Sequence, residues 1–78
     1  MTNLEKYNQA FIEALGVRAD ELQGLAYQMA EGWDSVGHMQ LIAALEDAFG
    51  IMFDTDDIID FNSYEKGKEL IGKYQVEL

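Results

Sequence analysis

Three groups of residues in this 78-residue chain have types and spacing that chemistry can use. The first is Asp34-Ser35, followed by the only histidine, His38. A serine hydroxyl needs a base to act as a nucleophile. Ser35 and His38, at i and i+3 of one helix, share a face without aligning the imidazole behind the hydroxyl. His38 and Asp34 also fall short of a zinc site, because no second imidazole or thiolate stands at ligand spacing. The second group is 54-DTDDIIDFNSYE-65, which sets Asp54, Asp56 and Glu65 at the first, third and last positions of a calcium loop. Ile58 and Ile59 occupy the places that need an oxygen ligand and a turn glycine, so the run reads as the solvated acidic start of a helix. The third is the pair Glu46-Asp47, which interrupts an otherwise apolar stretch. No metal site and no self-contained catalysis are expected.

Asp34-Ser35 keeps two readings. Asp and Ser are both preferred helix N-caps, and capping accounts for either residue alone. A serine at a helix N-terminus is also well placed to carry a phosphodiester, since free backbone N–H groups and the positive end of the helix dipole stabilise the added anion. If another enzyme attaches the group, the serine needs no base of its own. The chain has no cysteine, so any thiol chemistry requires a prosthetic group that brings the sulfur.

The elements that must position these residues are helical. Leu4, Tyr7, Phe11 and Leu15 recur at spacings of three and four, with Thr2 or Asn3 as N-cap and Gly16 as the stop, predicting a helix over 3–15. Residues 16–33 lack a sustained period and hold three glycines. They read as a long connection with a short turn within 20–25, pinned to the core by Val17, Leu22, Leu25, Tyr27 and Met29. A second helix runs from Ser35 to Phe49, apolar over most of its circumference, which predicts a place in the middle of a bundle. Asp54 or Thr55 caps a short third helix that turns Ile58, Ile59 and Phe61 inward. Asn62 or Ser63 caps a last helix over 63–75, with Tyr64, Leu70, Ile71 and Tyr74 as its buried stripe and Gly67 and Gly72 each weakening it by about 1 kcal/mol relative to Ala. The expected fold is all-α, a small antiparallel four-helix bundle with a long loop between helices one and two and a short third helix, forming a single domain over 1–78.

Composition supports a folded domain, with 49% hydrophobic and 12% aromatic residues. Its net charge of −10 is unevenly spread: no Lys or Arg lies between Arg18 and Lys66, an interval with 11 acids. Such a surface repels nucleic acid and anionic lipid and attracts basic protein patches. No apolar run approaches the roughly 20 residues of a membrane span, and the start lacks a basic-then-apolar signal pattern. The expected setting is the cytoplasm, and the expected state a monomer.

With these residues in view, the chain resembles the acyl carrier protein family. Asp34-Ser35-Val36 is similar to that family's Asp-Ser-Leu motif, 41-LIAALEDAFGI-51 to its helix-two continuation, and the acidic segment 54–60 and Leu-Gly-Val at 15–17 extend the likeness over nearly the whole chain. The resemblance implies a four-helix bundle in which Ser35, beside Asp34, receives 4′-phosphopantetheine from coenzyme A through a magnesium-dependent transferase. The arm's thiol then bears acyl cargo as a thioester. It also implies that Glu46, Asp47, Asp56 and Asp57 dock basic patches of the transferase and of acyl-loading and acyl-processing enzymes. Val36, Met39, Ala43, Ile58 and Phe61 are the expected walls of any slot for the cargo. Gly37 and Gln40 stand where housekeeping fatty-acid carriers usually have acids, and Trp33 with His38 is similar to carriers of specialised pathways. The implied function is transport of an acyl intermediate in fatty acid, polyketide or specialised lipid-type biosynthesis. The alternatives are a discrete aminoacyl carrier, or an acidic helical adaptor with no prosthetic group.

Overall fold

The computed structural model describes residues 1–78 and is all-helical: α1 (Asn3–Leu15), a 3₁₀ turn (Ala19–Glu21), α2 (Ser35–Phe49), α3 (Thr55–Asp60) and α4 (Tyr64–Gly72). The expected four-helix bundle is what forms. Thr2 begins α1 with a capping box, its hydroxyl accepting from Glu5 N–H while the Glu5 carboxylate accepts from Thr2 N–H. Gly16 and Gly50 end α1 and α2 in the left-handed conformation, which costs a glycine nothing. Ser63 caps α4, its hydroxyl accepting from Lys66 N–H.

An aromatic cluster forms the centre of the core. Tyr7 and Phe11 of α1 meet Trp33, Phe61 and Tyr64, with Leu41, Ile42 and Leu45 of α2 and Leu70 and Ile71 of α4 around them. The Tyr7 hydroxyl donates to the Tyr64 carbonyl at 2.7 Å, and burial pushes its phenol well above the ordinary range. Gly67 reads in the sequence only as a weak point of α4. A Cβ there would collide with the Tyr7 hydroxyl and the Phe61 ring, so the glycine is what lets α4 approach the cluster.

Four expectations change. The second helix is not buried all round: Leu41, Ile42 and Leu45 face the core, while Val36, Met39 and Ala43 are exposed, Val36 at 65%. With only four helices, one face of α2 stays open to water. Ile59 points outward and is 71% exposed, because a six-residue helix turns only one narrow side, Ile58 half-buried and Phe61 buried beyond it, to the core. Met29 is likewise exposed; the loop is held instead by Val17, Leu22 and Leu25 and by backbone pairing, with Tyr27 N–H on Asn62 C=O and Tyr64 N–H on Leu25 C=O, both at 2.8 Å. Finally, α4 stops at Gly72 rather than 75, and three tight turns carry the chain to Gln75, which sits at φ 65°.

That early stop has a partner in Asp57. Its carboxylate, 5% exposed as a residue, accepts from Lys73 Nζ at 2.7 Å and from the Tyr74 hydroxyl, and that hydroxyl accepts in turn from Asp54 N–H. Lys73 first, and Tyr74 second, hold the Asp57 carboxyl below its ordinary value of 3.8. A carboxyl held lower in the folded chain than in the unfolded one contributes stability that is complete above that ordinary value and lost as pH falls through the folded value. Asp57→Asn is therefore expected to lower the melting temperature at neutral pH, with the gap from wild type closing in acid. Thermal melts of both proteins across the acid range check this, and a gap of constant size at every pH would contradict it.

Candidate functional site

Asp34 and Ser35 are not equivalent at the start of α2. Asp34 is the N-cap of α2, with an extended backbone and Oδ1 accepting from Gly37 N–H at 2.8 Å, while its carbonyl accepts from His38 N–H at 2.8 Å. Ser35 is consequently the first residue of the helix, exposed, with its hydroxyl engaged in no hydrogen bond within the chain. The N–H groups of Ser35 and Val36 are also without an intramolecular partner, as the geometry of a helix start requires. A free hydroxyl thus stands beside two free amides at the positive end of a helix of 15 residues. The other serine, Ser63, differs in the decisive respect. It is half-buried, and its hydroxyl is used as the cap of α4.

Two close approaches fix this corner. A Cβ on Gly37 would strike the Gly32 carbonyl, and one on Gly32 would strike the Leu15 carbonyl, so the loop lies directly against the ends of α1 and α2. Trp33, fully buried one residue before Asp34, packs edge-on to Phe11 and anchors the loop in the core.

His38 is not a base for Ser35. Its Nδ1 accepts the Trp33 indole N–H at 3.0 Å, and its Nε2 lies 2.8 Å from the Ile58 carbonyl oxygen, so both ring nitrogens are engaged away from the serine. No three His, Cys, Asp or Glu side chains gather to hold a metal ion. The calcium-like run is occupied by α3 itself: residues 55–60 are helical, and a helix cannot wrap its own side chains around an ion as a loop does.

Beside Ser35 a groove of about 360 Å³ runs between α2 and α3. Met39, Ile58 and Phe61 line it as expected; Val36 and Ala43 do not, because they lie on the outward face of α2. Tyr27, His38, Ile59 and Asn62 complete the lining. Of these, Tyr27 comes from the aperiodic loop, and only its pairing to Asn62 brings it here.

The four acids expected to dock partners are not equivalent. Asp47 and Asp56 are exposed. Asp57 is committed to Lys73 and Tyr74, and Glu46 accepts from Phe53 N–H at 2.9 Å, tying the end of α2 to the segment that follows. Asp54 and Asp60 add exposed charge around α3. The surface next to Ser35 is therefore an apolar stretch of α2, Val36, Met39 and Ala43, flanked by acids.

A family model described as the phosphopantetheine attachment site matches residues 9–66, nearly three quarters of the chain. No curated protein and no solved structure gave a match. The matched span contains the free serine, the cap that frees it, and the groove.

Proposed function

The chain belongs to the phosphopantetheine attachment-site family, carriers that bear covalently bound 4′-phosphopantetheine, and we propose that here the arm is joined to Ser35. The observation that carries this assignment is the division of labour at the start of α2: Asp34 caps the helix, which leaves the Ser35 hydroxyl exposed and unbonded. The phosphodiester would be held by residues present for it. The Ser35 and Val36 amides offer two donors, and the helix dipole favours the negative charge. When bound, the arm supplies the thiol that the chain lacks, as the acceptor for a thioester-linked cargo.

On this reading residues 1–78 are a single carrier domain and the protein is not itself an enzyme. A radius of gyration of 11.1 Å matches the roughly 11.5 Å of one compact unit of this length. His38, the one imidazole, has no nitrogen free to activate a nucleophile. The protein acts as a monomer in the cytoplasm, passing an acyl intermediate of fatty acid, polyketide or specialised lipid-type synthesis between a transferase and the enzymes that load and process the cargo. No helix is long and apolar enough to cross a membrane.

The test is direct because the chain has no cysteine. Incubation with coenzyme A, magnesium and a broad-specificity transferase should add the mass of one phosphopantetheine and create one titratable thiol per chain. A protein that stays unmodified with several transferases would instead be an adaptor without a prosthetic group.

Docking should depend on apolar contact next to Ser35 and on charge around it. Asp47 and Asp56 carry the electrostatic part of this proposal, since Glu46 and Asp57 already serve the fold. Asp47→Lys with Asp56→Lys is expected to lower the rate of modification by a transferase with a basic patch on the order of tenfold, with added salt shrinking the difference. The fold should tolerate both changes, as both side chains are exposed. A modification rate indifferent to salt and to charge reversal would remove electrostatic docking from the account.

A further inference from the structure

His38 takes no part in attachment, yet it is the most heavily engaged side chain beside Ser35. Because Nδ1 accepts the Trp33 indole N–H, the ring proton sits on Nε2, which donates to the Ile58 carbonyl at 2.8 Å. That carbonyl lies in the last turn of α3, where no intrahelical donor reaches it, so His38 closes the end of α3 as it ties α2 to it. The ring lies nearly parallel to the Trp33 indole, at 18°, and meets the edges of Tyr27 and Phe61. It is fixed in position and in tautomer.

This fixed ring stands across the way inward. Along α2 the groove-facing residues run Ser35, then His38 and Met39, and the next residue on that side is Ile42, which is in the core and 2% exposed. A chain leading from Ser35 toward the core between α2 and α3 must pass the His38–Ile58 hydrogen bond. Passage would break it and strand the buried end of the Trp33 network as well. Beyond it lie Leu41, Ile42 and Leu45, none more than 2% exposed. The space on the near side is about 360 Å³, at the lower end of the roughly 300–1,000 Å³ of small-molecule sites.

Resting on the carrier reading of Ser35, we propose that His38 sets the size of the cargo: the latch confines the tethered acyl group to the groove beside the serine and closes the interior of the bundle to it. The cargo that fits is a compact apolar acyl group, a short chain or a single ring, laid against Tyr27, His38 and Phe61. A long alkyl chain finds no room past the latch and stays in water.

The experiment loads the full chain with butyryl, benzoyl, hexanoyl, decanoyl and dodecanoyl phosphopantetheine from the acyl coenzyme A and a tolerant transferase, and follows thioester cleavage by hydroxylamine through intact mass. In wild type, the benzoyl and butyryl thioesters should be cleaved about fivefold more slowly than the corresponding free acyl-pantetheines, with no further gain from hexanoyl to dodecanoyl. His38→Ala should convert this into protection that grows with chain length. His38→Gln, whose amide N–H can still reach the Ile58 carbonyl, should restore the wild-type pattern, which a merely structural loss would not do. Wild-type protection that rises steadily to dodecanoyl overturns the latch by itself, whether or not the alanine variant folds. A chain that accepts no phosphopantetheine at all overturns the carrier reading and this inference with it, while loading without the length pattern overturns only the latter.

Discussion

Trp33→Ala is expected to leave the chain largely unfolded or close to it. Trp33 is fully buried, packs edge-on against Phe11 and Tyr27, lies parallel to His38 and donates its indole N–H to that ring. Removing a buried tryptophan costs about 3–5 kcal/mol, against a total stability of about 5 kcal/mol or modestly more for a domain of this length. The melting temperature should fall by about 15–30 °C, or the transition should disappear. Trp33→Phe keeps one aromatic ring but loses the N–H and part of the bicycle, so it should cost less than the alanine change, about 2–3 kcal/mol. Urea unfolding followed by circular dichroism separates the two variants. A Trp33→Ala protein with nearly wild-type stability would show that the loop is not anchored by this side chain.

The anchor also shows where the sequence was readable. Thr2, Gly16, Gly50 and the stripe of Tyr7, Phe11 and Leu15 announce α1 and the end of α2, because caps and period are local properties of a few neighbouring residues. Asp34-Ser35 was legible as a helix start, and the resemblance named the cofactor of the family. What the sequence could not tell was which of the two residues caps, since both types do so equally well; only the bond from Gly37 N–H to Asp34 decides it.

The losses lie in contacts between residues far apart in the chain. The bonds that Asp57 makes to Lys73 and Tyr74, 16 and 17 residues later, left no mark in the local pattern around it. Met29 and Ile59 were expected inside on hydrophobicity alone, which does not distinguish the covered face of a short element from its open one. The groove gained Tyr27 from a segment with no period, brought there by backbone pairing to residues 62–64, for which side-chain patterns give no signal. His38 was an isolated imidazole in the sequence and ties α2 to α3 in the structure, because its two partners, Trp33 and the Ile58 carbonyl, come from different elements.

Ser35→Ala is expected to abolish attachment completely while leaving the helical circular dichroism and the melting temperature within error of wild type. The separation is clean because Ser35 is exposed, makes no hydrogen bond through its hydroxyl, and is not the cap of α2. Alanine at the first helical position is a good helix former, so the effect on stability should be a few tenths of a kcal/mol at most. Asp34→Ala should do the reverse, costing about 1 kcal/mol through loss of the cap while leaving a serine to be modified, though more slowly. If Ser35→Ala melted well below wild type, lost modification could be blamed on unfolding, and the two variants together guard against that.

The most direct measurement of the central claim is the site of attachment in the wild-type protein. After reaction with coenzyme A and transferase, fragmentation of the intact chain by tandem mass spectrometry should place a single phosphopantetheine on Ser35 and none on Ser63, whose hydroxyl is already spent on capping α4. The added mass on Ser63, or on any residue other than Ser35, would contradict the account.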